Sequence, residues 1–463
     1  MNRAEKRAKL KEINMLNEVV SIIRRYFPEL INKFNNLTDL RNQSYITYQM
    51  KVIFMVRLLG LMCEIKSMHE MTDELNTEEA IENIAKICGL ELEEIPHCDT
   101  INNVFEQVKV EEIEEIRKYI ITRLIRGKII KKFLVRDRYY HIIIDGTGLA
   151  SRKKYNNNCL VKNKTDKNGN KYQEYSTYVL EAKLVVGDMV FSIGSEFVEN
   201  KNSTKFIIKK IKTYKKTKDK KYNRKKENKK NLSYAKYKQD CETKAFKRLA
   251  ERIKKEYPRL PILISGDALY ANKKVLEICK KNKWKYLIRF KEGAIPTLYE
   301  EFNKIVKKEN ESTKTGYEFV TNIDYNDYKI NIIRHKETKK EVETEFTYMT
   351  DLPITNKNIE NSIFIGRKRW KIENEGFNIQ KNGTFDIGHL YSKNPIAIKV
   401  HYLMIQIAHI IRQMLEKGHI GLKEEIKERR IKIKEISSQI KIMLISTPIN
   451  LVNEHSTQLR FDS

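Results

Sequence analysis

Hydrophobic positions in the first part of the chain recur at helical spacing. The segment "MKVIFMVRLLGLMCEI" is apolar enough for a buried helix, and "TEEAIENIAKICGL" has the spacing of an amphipathic helix that ends at Gly89. The stretch "HCDTINNVFEQVKVEEIEEIRKYIITRLIRGKII" predicts one or two more amphipathic helices, with Asp99 or Thr100 as the N-cap. Residues 1–135 are therefore expected to form an N-terminal helical domain.

Strand and helix patterns alternate in the next segment, residues 136–290. "YYHIIID" predicts a strand, and "YSTYVLEAKLVVGDMVFSIGSEFV" predicts two strands around a turn at Gly187 and Asp188. "ETKAFKRLAERIKKEY" predicts a helix ended by Pro258, and it is followed by the strand "LPILISGD", the helix "NKKVLEICKKNK" and the strand "WKYLIRF". This order predicts an α/β fold with a mixed sheet flanked by helices.

The remaining segments have distinct patterns. Residues 201–238 form a run dense in lysine with interleaved tyrosine, which predicts a basic insertion. Residues 291–360 contain "YEFVTNIDY", "YKINIIRH" and "EVETEFTYMT", which predict a β-rich insertion. In residues 361–415, "FIGRKRWKIENEGFNIQKNG" predicts a helix and "NPIAIKVHYLMIQIAHIIRQMLEKG" a long amphipathic helix. A basic helical tail is expected over residues 416–463.

The charge balance suggests an anionic partner. Lys plus Arg total 90 against 61 Asp plus Glu, which gives a net charge of +29. Nucleic acid is the preferred partner, because each neutralised phosphate releases counterions, and a highly charged solvated surface is the alternative. The basic insertion then either contacts a phosphate backbone or forms a solvated loop. The N-terminal helical domain either binds DNA or serves packing and dimerisation.

Location and redox state follow from what the sequence lacks. No apolar run approaches the roughly 20 residues of a transmembrane helix. The charged start "MNRAEKRAKLKEINM" has no apolar signal-peptide region, so we expect a cytoplasmic, nucleoid-associated protein without a membrane partner. The six cysteines are scattered and form no CxxC pair, so their spacing predicts neither a zinc site nor a disulfide framework.

Three acids occupy positions that suggest metal chemistry. Asp145 ends the first predicted strand, Asp267 ends a later one, and Glu373 lies on the helix after the β-rich insertion. Carboxylates that converge at one sheet edge can hold Mg²⁺ or Mn²⁺. Two such ions roughly 3.5–4 Å apart support an in-line displacement at phosphate. Each acid also has a structural alternative: a turn residue, a helix cap, and a surface partner of Arg369, respectively.

The contexts of these acids resemble a known family. "IIIDGTG", "ISGDALYA" and "RWKIENEGFN" followed by "NPIAI" are similar to motifs of the DDE transposases of bacterial insertion sequences, specifically the IS4-like group with an RNase H-like core. The resemblance runs from about residue 97 to residue 415 and places the catalytic, metal-binding acids at Asp145, Asp267 and Glu373. It implies a phosphate contact at Arg369, and Lys381, next to the position of the family's lysine, is the candidate for a second.

The resemblance implies a function and its partners. It implies two Mg²⁺ (or Mn²⁺) ions, terminal inverted repeats and target DNA as double-stranded substrates, cut-and-paste transposition, and a homodimer in the synaptic complex. Two rival functions remain open. One is an RNase H-fold nuclease that cuts without joining, and the other is a non-catalytic DNA-binding protein derived from a transposase.

The segment around the third acid departs from the family pattern. The signature of the IS4-like group has a tyrosine, then an arginine, the catalytic glutamate and a later lysine. In this chain the tyrosine position falls on Gly366, and the lysine position falls on Gln380, with Lys381 next. On an ideal helix Gln380 lies about 20° from Glu373, and Lys381 about 80°.

Glu375 competes with Glu373 for the role of third acid. On an ideal helix the two lie about 200° apart, and Arg369 lies about 40° from Glu373 but about 120° from Glu375. Because the family places its arginine and glutamate on one face, Glu373 is the preferred residue.

Aromatic and histidine side chains complete the candidates. Trp284 and Trp370 are expected to pack in the core, with stacking on a nucleobase as the alternative. His389, His401 and His409 are interpreted as packing residues or phosphate contacts.

Overall fold

The structure is a computed structural model that describes residues 14–65, 67–153, 159–200, 240–309, 316–339, 342–418, 433–450 and 459. The basic insertion predicted at residues 201–238 lies outside the described residues, as does most of the predicted tail. Both interpretations therefore stay predictions.

Seven α-helices lie in the described residues of the N-terminal part, as the periodicity predicts. They are α1 (Met15–Tyr26), α2 (Leu30–Asn35), α3 (Met50–Met62), α4 (Met68–Leu75), α5 (Glu78–Cys88), α6 (Cys98–Gln107) and α7 (Val110–Arg126). Gly89 ends α5 in the left-handed conformation, with φ of 64°. The predicted N-cap of α6 is wrong by two or three residues. The cap is His97, whose ring accepts a hydrogen bond from the Asp99 backbone N–H.

A nine-stranded mixed sheet forms the centre of the fold. Its strands are β1 (Tyr140–Arg152), β2 (Leu160–Thr165), β3 (Lys171–Val186), β4 (Met189–Val198), β5 (Ile262–Ser265), β6 (Lys285–Arg289), β7 (Tyr317–Tyr325), β8 (Tyr328–Lys339) and β9 (Val342–Thr350). Their order is β2-β3-β1-β5-β6-β9-β8-β7, with β4 also paired to β3. The β1–β5 and β5–β6 pairs are parallel and the others antiparallel. The predicted mixed sheet is confirmed.

The β-rich segment extends this sheet rather than standing apart from it. β9 pairs antiparallel with β6, where Leu287 faces Thr350. The β signals begin later than predicted, because Pro296–Glu309 forms a helix, α10. Leu298, Phe302 and Val306 are buried at helical spacing along it, and that period could have been recognised in the sequence.

Further helices pack around the sheet or, in the case of Ile433–Ser446, against the N-terminal helices. They are α8 (Glu242–Glu256), α9 (Lys273–Asn282), α11 (Ile359–Arg367), the short α12 (Ile379–Asn382), α13 (Pro395–Gly418) and α14 (Ile433–Ser446). None of the helices in the described ranges is long and apolar enough to cross a membrane.

Helix α13 is buried on all sides, in contrast to the amphipathic helix that the sequence predicts. Every residue from Val400 to Glu416 is buried, because the helix packs against N-terminal helices on one side and β4 on the other. Several of its buried polar side chains have partners within the protein. Arg412 pairs with Glu416, and the Gln413 amide hydrogen-bonds both backbone groups of Val190.

Candidate active site

Asp145 lies within β1 rather than at its end, which corrects the prediction. The strand continues to Arg152 because its pairing with β3 runs through Asp145 and Glu181. The parallel pairing of β1 with β5, however, stops at Ile143 and Ser265. Asp145 therefore lies two residues past the end of that pairing, at the sheet edge that the sequence predicts for it.

Asp267 lies at the same level on the neighbouring strand. It follows Ser265 by two residues, just as Asp145 follows Ile143. Its carboxylate accepts a hydrogen bond of 2.9 Å from the Leu269 backbone N–H and caps the 3₁₀ turn Ala268–Tyr270. Asp267 is therefore also a cap, as its alternative interpretation predicts, but it caps this short turn, whereas Asn272 caps the longer helix α9.

The third acid lies on an irregular helical segment, not on the regular helix that the sequence predicts. After α11 the chain forms a 3₁₀ turn at Lys368–Trp370 and then a π-helix at Ile372–Asn378. π-helical turns are rare and occur frequently at functional sites. The wider turn also invalidates the ideal-helix angles expected for the residues that follow.

Arg369 joins two of the three acids. Its Nη1 donates to Asp145 Oδ2 at 3.3 Å and to Glu373 Oε1 at 2.9 Å. The structure thus brings Asp145, Glu373 and Arg369 together. The alternative interpretation of Glu373 as a surface partner of Arg369 explains the Arg369–Glu373 contact but not the contact between Arg369 and Asp145.

Glu375 lies elsewhere. Its carboxylate forms an ion pair with Lys417 of α13, whose Nζ also donates to the Asp188 carbonyl. Because Glu373 bonds Arg369 while Glu375 is held by α13, the two glutamates have different surroundings.

The residues at which the sequence departs from the family pattern differ in their burial and contacts. Gln380 is fully buried, and its amide nitrogen bonds Gln406 Oε1 and His409 Nδ1, each at 2.9 Å. Lys381 is exposed. A Cβ at Gly366 would lie 2.7 Å from the Tyr348 ring, so a tyrosine ring from β9 fills the space beside this glycine.

The electrostatics of the cluster centre on Asp145. Burial first, and then the nearby Glu373 and Asp267 carboxylates, raise the pKa of its carboxyl to about 7 against the opposing effects of the Gly146 N–H and Arg369. Three carboxylates that repel each other in a partly buried site, with a guanidinium between two of them, form a site that favours added positive charge. Oxygen-only donors of this kind suit Mg²⁺ or Mn²⁺.

Glu242, at the start of α8, is a neighbouring acid that sequence reasoning missed. It accepts hydrogen bonds from the Tyr178 hydroxyl at 2.5 Å and the Tyr270 hydroxyl at 3.1 Å. The pKa of each tyrosine is raised by burial first, then by Glu242, and also by Asp145 and Asp267. Nothing in the sequence distinguishes Glu242 from other acids in the first turn of an amphipathic helix.

Gly146 gives a testable prediction about this arrangement. A Cβ there would lie 2.4 Å from Tyr178 Oη and 2.8 Å from Glu242 Cδ, whereas at Gly148 the nearest atom is 4.0 Å away. Gly146→Ala should lower the free energy of unfolding by about 1–3 kcal/mol, because a well-packed site must shift. It should also lower any strand cleavage activity.

Gly148→Ala is the matched control, two residues along the same strand. Chemical denaturation of both variants measures the difference. Equal stabilities of the two variants would show that the Tyr178–Glu242 pair leaves enough room for a Cβ at position 146.

The tryptophans and histidines divide between core and surface. Trp284 is buried as expected, at 2% exposure, but Trp370 is 50% exposed, so the prediction that it packs in the core is wrong. The Arg369 guanidinium lies 5.2 Å from the Trp370 ring centroid. His401 and His409 are buried, which leaves them as packing residues, while His389 is exposed.

Two family models match the chain. A family model described as DDE_Tnp_1-associated matches residues 31–119, and one described as transposase DDE domain group 1 matches residues 228–462. The second match includes Asp267 and Glu373 and begins after Asp145. No curated protein matches the chain.

Proposed function

The chain belongs to the transposase DDE domain group 1 family, and from that premise we propose that it cleaves DNA at the ends of a transposable element and joins them to target DNA. The observation that carries the proposal is the cluster of Asp145, Asp267 and Glu373. These acids come from distant parts of the sequence and meet at one sheet edge. We further propose an RNase H-like core, a place in the IS4-like group, cut-and-paste transfer and a synaptic homodimer, as the sequence resemblance implies.

The three carboxylates fit two Mg²⁺ or Mn²⁺ ions. Asp145, which has acids on two sides, would hold these ions together with Asp267 and Glu373. When bound, such ions supply an activated nucleophile and stabilise the leaving oxygen of a phosphodiester. The fully oxygen donor set and the raised pKa of Asp145 support this assignment.

Arg369 has a dual role in this account. In the structure its guanidinium neutralises Asp145 and Glu373. With metal ions held by the acid cluster, the Arg369 guanidinium would be available to bind a phosphate of the DNA, to which its planar fork is suited. Lys381 remains a proposed phosphate contact.

An exposed aromatic and basic surface adjoins the acids and supports DNA as the substrate. Phe364 and Trp370 are 59% and 50% exposed, and the Lys368 ammonium lies 4.8 Å from the Phe364 ring centroid. Exposed rings that alternate with cations bind bases by stacking and backbones by charge. This surface is close in sequence to Glu373, because Lys371 follows Trp370 directly and Glu373 lies two residues after Lys371.

Trp370→Ala should weaken binding of DNA ends by about tenfold, the loss expected for one stacking contact of ~1–3 kcal/mol. Trp370→Phe should restore most of the affinity, because phenylalanine keeps a stacking face. Fluorescence anisotropy with labelled DNA ends measures both. Wild-type affinity in Trp370→Ala would remove this ring from the proposed interface.

A strand-transfer assay tests the proposed function. DNA carrying the inverted repeats that flank the coding region is incubated with the protein, Mg²⁺ and a target plasmid. We expect joined product. Cut ends without joining would instead establish the nuclease, and bound but uncut DNA would establish a non-catalytic binding protein.

A further inference from the structure

Two histidines and a cysteine meet in the N-terminal helices, far from the acid cluster in sequence. His69 lies in the first turn of α4, and His97 and Cys98 form the start of α6. Their ligand atoms all lie within 4.8 Å of one another. Cysteine spacing in the sequence does not indicate this group, because the group contains a single cysteine and its two histidines lie on separate helices.

The distances suit a small, borderline-soft cation. Cys98 Sγ lies 3.3 Å from His69 Nδ1 and 3.8 Å from both Nδ1 and Nε2 of His97. Zn–N bonds of about 2.0–2.1 Å and Zn–S bonds of about 2.3 Å separate tetrahedral ligand atoms by about 3.3–3.6 Å. The sulfur–nitrogen separations thus lie within a few tenths of an ångström of tetrahedral ligation. The two histidine nitrogens lie within 4.8 Å of each other and would have to approach further to share one ion.

The backbone around the three ligands is held in place. The Cys98 N–H donates to Thr72 Oγ1 of α4 at 3.0 Å, which fixes the start of α6 against α4. Ser67 and Glu70 form a capping box at the start of α4, next to His69. Both histidine side chains are exposed and Cys98 is buried, so a cation could enter from solvent while its sulfur ligand stays protected.

Asp99 supplies a partner for the second histidine. Its Oδ2 lies 3.6 Å from His97 Nδ1, the nitrogen that accepts the Asp99 backbone N–H. If Nε2 binds the metal, Nδ1 carries the ring proton and can donate it to this carboxylate, at the cost of the capping bond. A carboxylate behind a metal-bound histidine commonly orients the ring.

We propose that His69, His97 and Cys98 bind one Zn²⁺ ion, with water as the fourth ligand, and that the ion clamps the start of α6 to α4. Nitrogen and sulfur donors of this kind select Zn²⁺ over Mg²⁺. The site is therefore chemically distinct from the carboxylate cluster, and this proposal does not depend on the proposed function.

Cobalt is the probe for this site, because a thiolate ligand gives Co²⁺ a near-ultraviolet charge-transfer band that carboxylates do not give. The full-length protein is treated with chelator and a phosphine reductant, desalted and titrated with Co²⁺. We expect one equivalent to produce the band and Zn²⁺ to abolish it. Cys98→Ser should remove the band, and His69→Ala should weaken cobalt binding by at least tenfold.

Two variants sharpen the result. Cys241→Ser, at the exposed cysteine, should keep the band. Asp99→Asn should weaken binding about 10–100-fold, as loss of an orienting carboxylate does elsewhere. Circular dichroism confirms that each variant is folded, and His69→Ala, at an exposed position, tests the site if Cys98→Ser unfolds.

The clamp also has a readout that is independent of absorbance. Zn²⁺ should raise the melting temperature of the wild type and of Cys241→Ser, but not that of His69→Ala. A folded wild type without a thiolate band at one equivalent of Co²⁺ would overturn the proposal. A band that persists in Cys98→Ser would overturn it equally.

Discussion

Glu373→Gln should reduce Mg²⁺-dependent strand cleavage by about a thousandfold, which corresponds to ~4 kcal/mol of transition-state stabilisation. The amide keeps the size of the side chain and its hydrogen-bonding reach to Arg369, but it removes the negative charge that we assign to metal binding. In the structure this carboxylate shares Arg369 with Asp145, so it belongs to the acid cluster by contact and not only by sequence order. Single-turnover cleavage of a labelled DNA end measures the effect.

Glu375→Gln is the matched control. It makes the same chemical change two residues away, where the carboxylate pairs with Lys417 instead. Its cleavage rate should stay within a few-fold of the wild type, with at most a small loss of stability from the broken ion pair. If Glu375→Gln were inactive and Glu373→Gln active, the assignment of the third acid would be reversed.

Arg369→Ala should change metal binding and cleavage in opposite directions. Mn²⁺ should bind more tightly, because the guanidinium that neutralises Asp145 and Glu373 no longer competes with the ion. Cleavage should fall by about 10–100-fold, because a charge-assisted bond to phosphate contributes ~1.5–3 kcal/mol. Isothermal titration with Mn²⁺ and single-turnover cleavage give the two results.

Arg367→Ala controls for loss of a cation from the same segment. Arg367 pairs with Glu337 and lies over the Phe346 ring, so it has partners of its own on the extended sheet. Its replacement should leave Mn²⁺ affinity unchanged. Weaker Mn²⁺ binding in Arg369→Ala would contradict the dual role proposed for that residue.

The local patterns predicted the elements that position the site. The aliphatic run before Asp145 and the run before Asp267 both read as buried strands, and both pair in parallel as β1 and β5. Placing the acids at one edge needed only the rule that parallel strands end together. The extension of β1 beyond Asp145 depends on its pairing with β3, a long-range contact that the local pattern does not show.

Other features arise from tertiary contacts and could not be predicted locally. Gln380 turns inward because a π-helix replaces a regular turn and because Gln406 and His409 offer buried partners. Trp370 stays exposed because it lies on a 3₁₀ turn at the edge of the acid cluster. Glu242 reaches the acids only because Tyr178 and Gly146 on adjacent strands leave room for it.

The most direct test of the proposed metal-dependent cleavage is an assay of Mg²⁺-dependent cleavage of the element's own ends by the wild type and by Asp145→Asn. Burial and the neighbouring carboxylates raise the pKa of Asp145 to about 7, and Asp145 is one of the three acids that would hold the metal ions. We predict cleavage by the wild type that requires Mg²⁺ or Mn²⁺, and none detectable with Asp145→Asn, although the variant still folds and binds DNA. Cleavage by Asp145→Asn at the wild-type rate would contradict the proposal that Asp145 is a catalytic, metal-binding carboxylate.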